Sequence, residues 1–359
     1  TKTDYDIANV IYKLYKHKYV CIFRSNKTVW YEFINHKWKF IDAPSTLRTL
    51  ISTDIFEAYF ARFIELKDQM YKLNEEDGDQ SVINCIKESV KNVAEMCKMV
   101  KNNGTKRNIM KEADDIFRND FFMENMDSNP YLLGFENGII DFKQKRFRDG
   151  MPEDYVTLST GINYISREDN PDYDRIAAEI NDFFAKIFPV EELREYMWEH
   201  LSSALIGTTS NQTFNIYTGE GSNGKSLLVK LMQTILGEYK GSVPIQLITQ
   251  KRGSIGGPAP EIAQLKGLRY AVIQEPTKGD TLNEGIMKEI TGGDPIQGRS
   301  LYANTITFIP QFTLVVCTNN MIDIKATDHG TWRRIRVCKY MSTFVDKITN
   351  DPNIPYEYK

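Results

Sequence analysis

Residues 219–226 read Gly-Glu-Gly-Ser-Asn-Gly-Lys-Ser and fit the pattern G-x-x-x-x-G-K-[ST] at every position. Each residue type has a chemical reason. Gly219, Gly221 and Gly224 let the backbone curl, so that the N–H groups along Glu220, Ser222 and Asn223 turn toward a chain of phosphates. The helix expected to follow adds the partial positive charge of its N-terminus. Lys225 is placed to reach the β- and γ-phosphate oxygens, and the Ser226 hydroxyl is a ligand of the kind Mg²⁺ accepts. The pattern points to ATP bound with Mg²⁺.

Turnover requires more than a cradle. Residues 268–274 form an apolar strand that runs into Glu275, 50 residues past Lys225. A carboxylate at a strand end beside the phosphates can orient the attacking water and help hold Mg²⁺. The alternative is a surface glutamate closing a strand before Pro276, and the neighbouring residue is Gln274, not a second acid. Another strand, 312–317, leads to Asn319 and Asn320. An amide there can sense the γ-phosphate, or merely form the turn. Arg333 and Arg334 precede a further strand. They either pair with surface carboxylates or act as arginine fingers in a neighbouring subunit's site, where such a group contributes about 10³–10⁵ in rate. His329 reads as structural.

These groups need a scaffold. From residue 213 onward short apolar strands alternate with amphipathic helices, the rhythm of a helix-covered parallel sheet. A strand over 213–218 leads into the phosphate loop, and Leu227, Leu228, Leu231, Met232, Ile235 and Leu236 form the stripe of a helix ending at Gly237. Upstream, residues 5–16 read as a helix, residues 18–42 as a small antiparallel sheet, and residues 43–119 as mostly helical with an acidic loop at 74–79. Asn137-Gly138 predicts the tight turn of a hairpin over 131–147. Helices are expected over 172–187 and 190–206, the second capped by Gly207.

Composition bounds the reading. The chain has 359 residues, 41% hydrophobic, with 45 basic and 48 acidic residues and a net charge of −3. That is the profile of an ordinary globular chain of two or three domains and excludes a histone-like cationic binder, although a local basic stripe remains compatible with nucleic acid. No apolar run approaches a membrane span. Five scattered cysteines and four histidines without paired spacing argue against a disulfide framework or a zinc site and for a reducing compartment. The first residues carry no signal-peptide pattern. Both ends read as those of a fragment.

The motif order resembles the superfamily 3 helicases, compact AAA+ motors of DNA viruses and plasmids. The intermediate segment, with Leu282, Asn283, Glu284, Lys288, Thr291, Gly292, Gly293, Asp294, Arg299, Leu301 and Tyr302, is similar to the branch holding the primase-helicases of poxviruses, asfarviruses and other large cytoplasmic DNA viruses. The resemblance covers roughly residues 130–345. It implies an α/β AAA+ P-loop core (208–345), a preceding mostly helical region with a small antiparallel sheet (1–165), a helical collar (172–207) and a truncated C-terminal extension (346–359). It also implies ATP and Mg²⁺ as cofactors, a ring of six copies with shared ATP sites, and Arg334 as the finger with Arg333 beside it. A hairpin near residues 294–304 would face single-stranded DNA in a central channel, with Arg299 and Tyr302 as DNA contacts; Arg299 paired to Asp294 and Tyr302 in the core is the alternative. Lys288 would face the nucleotide or the channel, or be a solvated helix lysine. A basic loop at Lys251-Arg252 reads as channel-lining or solvated. The resemblance places the protein at viral replication sites in the host cytoplasm, among other viral replication proteins. A primase activity is not expected from these residues.

Three functions fit in principle: a DNA translocase, a non-motor P-loop enzyme such as a kinase, and a ring-forming ATPase scaffold or uncoating factor. The ordered motif set favours the first.

Overall fold

The computed structural model of the chain describes residues 3–24, 27–75, 78–250, 258–274, 279–301, 304–349 and 352–359. The chain divides into two units, one of residues 1–34 and 38–124, the other of residues 35–37 and 125–359.

The first unit is mostly helical. Helix α1 (Asp4–Tyr15) begins at a reciprocal cap, in which the Thr3 hydroxyl accepts from the Asp6 N–H at 3.1 Å and the Asp6 carboxylate accepts from the Thr3 N–H at 3.3 Å. Strands β1 (Tyr19–Arg24), β2 (Lys27–Ile34) and β3 (Lys37–Ile41) form a small sheet in that order, with β1 antiparallel to β2. Helices α2 (Ser45–Ser52), α3 (Asp54–Glu75), α4 (Gln80–Met99), α5 (Asn103–Ile116) and α6 (Phe122–Asn125) follow. Ile7, Ile11, Leu47, Ile51, Ile55 and Ile109 are fully buried around Trp30, whose indole N–H donates to Asp114 at 2.9 Å.

The second unit opens with an antiparallel meander of β4 (Leu132–Phe135), β5 (Gly138–Asp141) and β6 (Arg146–Arg148). The hairpin tip is Glu136-Asn137, one residue earlier than the Asn-Gly signal suggests, because Phe135 pairs with Gly138. The Asn137 side chain is fixed by Tyr164, accepting its N–H at 2.8 Å and donating to its carbonyl at 2.9 Å. Gly138 has φ +154, which side-chain-bearing residues rarely adopt, and a Cβ there would also strike the Phe147 ring at 2.6 Å, so backbone conformation and packing both select that glycine. Helices α7 (Tyr173–Ile187) and α8 (Glu191–Ser203) come next. Helix α8 stops before the expected Gly207. Gly207 instead donates its N–H to the Pro130 carbonyl at 2.8 Å, and a Cβ there would overlap the Arg269 guanidinium.

The remaining elements build the core. In chain order they are β7 (Phe214–Thr218), α9 (Lys225–Leu236), β8 (Lys240–Ser242), α10 (Gln246–Thr249), α11 (Pro260–Ala263), β9 (Tyr270–Gln274), α12 (Glu284–Thr291), β10 (Ile296–Gly298), β11 (Ile306–Phe308), β12 (Thr313–Thr318), α13 (His329–Trp332) and β13 (Ile335–Lys339). A parallel sheet runs in the order β13-β7-β12-β9-β8, so this is an α/β P-loop-type core preceded by a helical region with small sheets. Strand residues alternate between two apolar layers. Phe214, Ile216, Ala271, Ile273, Leu314 and Val316 pack on one face, and Tyr217, Tyr270, Val272, Val315 and Cys317 on the other. Burial on both faces is what a helix-covered parallel sheet requires. Strands β14 (Thr343–Phe344) and β15 (Glu357–Tyr358) pair near the end. Among the described residues no helix is long and apolar enough to cross a membrane.

Candidate nucleotide site and distal arginines

Sheet register brings the first two functional groups together. Thr318, the last residue of β12, pairs with Thr218, the last of β7, so Asn319 and the phosphate loop emerge side by side. Lys225 Nζ donates to Asn319 Oδ1 at 2.9 Å, to the Thr318 carbonyl at 2.9 Å and to the Gly219 carbonyl at 3.2 Å. The ammonium is thus held over the mouth of the loop, at the C-terminal edge of the sheet where open α/β folds bind ligands.

The loop is braced from within. Asn223 is 5% exposed, donates to the Glu220 carbonyl at 2.5 Å and accepts from the Lys225 N–H at 3.2 Å. The Phe344 N–H donates to the Ser222 carbonyl at 2.7 Å. Gly224 has φ +80, the left-handed region, and a Cβ there would meet Ile187 at 2.9 Å. On Gly219 a Cβ would meet Asn223 at 2.5 Å and the Tyr340 carbonyl at 2.6 Å. The outer side is open: a Cβ on Gly221 meets nothing, and Glu220, Ser222 and Ser226 are exposed. A cradle closed behind and open in front, with a hydroxyl on the first turn of α9, fits a polyphosphate and its Mg²⁺. Burial pushes the nearby Cys317 thiol up to about 11, which keeps it a neutral packing group and not a nucleophile.

Strand β9 ends at Gln274 beside Cys317 of β12. Glu275, Tyr302 and the basic loop at 251–257 lie outside the described residues.

The arginines sit elsewhere. Ile335 pairs with Phe214, the first residue of β7, and the Phe214 N–H donates to the Arg334 carbonyl at 2.7 Å. Arg333 and Arg334 are therefore at the opposite edge of the sheet from Lys225, about 15 Å away along a five-residue strand. Arg333 is exposed and Arg334 half-buried. Arg334 Nη1 donates to the Gly330 carbonyl at 2.7 Å, while its Nε is buried with no partner. Burial, then repulsion from Arg333, lowers the Arg334 pKa from its ordinary value, and Asp328 partly opposes this. Gln212, in the turn before β7, accepts from both guanidinium groups. Sequence reasoning passed over it, because an isolated glutamine in a polar turn belongs to no pattern.

Lys288 of α12 donates to Asp328 at 2.8 Å. Asp328 caps α13, accepting from the Thr331 N–H at 3.0 Å and its hydroxyl at 2.8 Å. The Lys288 hydrogen bond, then that of Thr331, holds the Asp328 carboxyl well below the usual carboxylate range. Strands β10 and β11 form an antiparallel hairpin, with Ile296 opposite Phe308 and Gly298 opposite Ile306. Arg299 opens its loop, its carbonyl accepting from the Ala259 N–H at 2.8 Å. Among the described residues no ion pair joins Arg299 to Asp294.

Arg269 was also missed. It is 2% exposed, and its guanidinium donates to the Gln311 side chain and to the Leu132 and Asn129 carbonyls at 2.9 and 3.3 Å, tying the meander to the strands below the site.

Residues 8–188 match the family described as "D5 N terminal like". The chain belongs to that family. Residues 217–334 match a second family, described as a family of unknown function (DUF5906). A protein of Acanthamoeba polyphaga mimivirus named "Putative helicase L207/L206" is 38% identical over 94% of this chain and 34% of its own length. "Putative helicase 184R" of Invertebrate iridescent virus 6 is 34% identical over 73% of this chain and 27% of its own. "Putative primase C962R" of African swine fever virus (isolate Pig/Kenya/KEN-50/1950) is 28% identical over 100% of this chain and 38% of its own. The chain spans about a third of the length of these curated relatives. They come from the large DNA viruses to which the segment around residues 282–302 pointed, so that resemblance holds. Among solved structures, the apo C-terminal region of NrS-1 superposes with a TM-score of 0.49 at 10% identity, over 94% of this chain and 62% of that one, a likeness too slight to build on.

Proposed function

We propose that this chain is the motor portion of a ring-forming, ATP-hydrolysing helicase that moves along single-stranded DNA during replication of a large DNA virus, at sites in the host cytoplasm and alongside other viral replication proteins. One observation carries the reading. The phosphate loop and its Lys225–Asn319 pair occupy one edge of the sheet, and the arginine pair occupies the other. In a single copy Arg334 is too far from Lys225 to meet the same phosphate. In a ring of copies, six by the family resemblance, the arginine edge of one can face the loop edge of the next.

Within such a site the backbone N–H groups of residues 219–226 would cradle the phosphates of ATP. Lys225 would move its N–H donors from protein carbonyls to the β- and γ-phosphate oxygens, and Asn319 would hold the attacking water together with Glu275. Ser226, with Glu275 directly or through water, would hold Mg²⁺, which when bound neutralises charge on the phosphates. Arg334, with Arg333 beside it, would meet charge developing at the γ-phosphate of the neighbouring copy. The β10–β11 hairpin would carry Arg299 and Tyr302 to the DNA, a cation for backbone phosphate and an aromatic ring for base stacking. Lys288, held by Asp328, would steady the segment between hairpin and finger and leave phosphate contact to Arg299.

The test is ATPase rate per copy against protein concentration, with and without single-stranded DNA. A steep rise with concentration, increased further by DNA, is expected. A rate per copy that is flat in concentration and indifferent to DNA would mean a self-contained site and end the ring-motor reading.

A further inference from the structure

Gln212 has a carboxamide bracketed from both sides. Its Oε1 accepts from Nη2 of Arg333 and, at 3.2 Å, from Nη2 of Arg334, while its Nε2 donates to the Gly292 carbonyl at 2.9 Å. A guanidinium only donates and a carbonyl only accepts, so the amide has one workable orientation. Glutamate would keep the acceptor and lose the donor; lysine would do the reverse. The backbone presents this side chain from a constrained turn. Gln212 has φ +50, an uncommon conformation for a residue other than glycine, and its N–H closes the turn on the Thr209 carbonyl at 2.9 Å.

What Gln212 joins is more telling than how it is held. On one side are two like charges converging on a single oxygen. Arg334 has its other hydrogen bond on Gly330 and a buried Nε with no partner, so little else fixes the outer end of the pair. On the other side is Gly292, the residue that ends α12 and begins the four-residue lead into β10, the first strand of the hairpin that carries Arg299. The same turn also lies close beside this lead, since a Cβ added to Gly293 would come within 3.1 Å of the Thr209 hydroxyl.

We propose that Gln212 is a positioning residue that holds the Arg333–Arg334 pair for a neighbouring copy's phosphate site and ties that pair to the base of the β10–β11 hairpin. The assignment rests on the shared-site reading above and deepens it: one side chain links the group that acts on ATP to the element that meets DNA. A movement of the hairpin base would pull on the amide and so on the arginines, and the reverse.

The test uses three variants of the full chain, Gln212→Ala, Arg334→Ala and Lys225→Ala, assayed for ATPase singly and in mixtures. Gln212→Ala has a sound phosphate loop and an unheld arginine pair; Lys225→Ala has the opposite. Alone, Gln212→Ala should turn over about tenfold or more slowly than the unmodified chain, since a misplacement near 1 Å can cost up to about 10² in rate. Mixed with an excess of Lys225→Ala, each Gln212→Ala copy should regain most of that loss, because its neighbour now supplies a held pair. A folding defect in Gln212→Ala would not be cured by a neighbour. The mixture of Arg334→Ala with Lys225→Ala reports on the shared site itself. If that mixture regains turnover and the Gln212 mixture does not, or if Gln212→Ala alone runs at the unmodified rate, the role of Gln212 is overturned and the shared site stands. If neither mixture regains turnover, the shared site falls and the role of Gln212 with it.

Discussion

Lys225 and Arg334 are both cations held by backbone carbonyls, yet their removal should have different signatures. Lys225 sits over the loop mouth and touches Asn319. Lys225→Ala should lower turnover by about 10² or more, the usual cost of deleting a preorganised charge partner of a transition state. It should also weaken nucleotide binding, because the same ammonium serves the bound ground state. Arg334 lies at the far edge of the sheet, and among the described residues it has no hydrogen bond to the loop of its own copy. Arg334→Ala should therefore lower kcat by about 10³ or more while the Kd for a fluorescent ATP analogue stays within about twofold. Steady-state kinetics beside a binding titration separates the two, and an Arg334→Ala chain that hydrolyses ATP at the normal rate would remove the finger assignment. At this scale legibility followed locality. The loop is eight contiguous residues whose types each have a chemical reason, so it could be read directly. Gln212 could not be, since its partners are 80, 121 and 122 residues away and no pattern of spacing connects them.

Among elements, periodicity carried the strands and helices of the core, because a sheet buried on both faces leaves apolar runs and a helix stripe that any reading finds. It misplaced ends. Glycines at 138 and 207 suggested a turn and a cap; Gly138 does follow the hairpin tip with a positive φ, one residue out of the expected register, while Gly207 is selected by close approach of the Arg269 guanidinium. Nor could periodicity say that α8 buries a polar group against β7. His200 Nε2 lies 2.7 Å from the Tyr217 hydroxyl, and its ring stacks on Tyr196. Burial lowers the His200 pKa to about 4. An unfolded histidine takes its proton near pH 6.5, while the folded one remains neutral until about pH 4. Protons in that window therefore favour the unfolded chain. The His200 contribution to stability should be full above about pH 6.5, decline as the pH falls, and be lost by about pH 4, a change on the order of 3 kcal/mol. Urea midpoints across this range should show the decline, and His200→Phe should flatten it. An equal slope in the variant would assign the acid sensitivity to other groups.

For the whole molecule the open physical issue is how a chain of net charge −3 would track a polyanion. Charge need not be positive on average if cations are gathered where the strand passes, since the field within a lined channel is set by its walls. Arg299, at the opening of the β10–β11 loop, is the cation that each copy would contribute there. Each phosphate neutralised on a single strand releases counterions and adds about 0.7 to the slope of log K against log salt. Replacing Arg299 by alanine removes one such contact for every copy whose hairpin touches the strand at the same moment. The slope should become shallower by about 0.7 if one copy is engaged and by about 4 if six are. Titrating a labelled single strand over a range of salt concentrations, with the unmodified chain and with Arg299→Ala, would thus count engaged hairpins as well as test the contact. Basal ATPase without DNA should change little in the variant, as Arg299 has no hydrogen bond to the phosphate loop or the arginine pair among the described residues. An identical slope for the two proteins would take Arg299 out of the DNA path and leave it a half-buried residue of the hairpin with no part in binding.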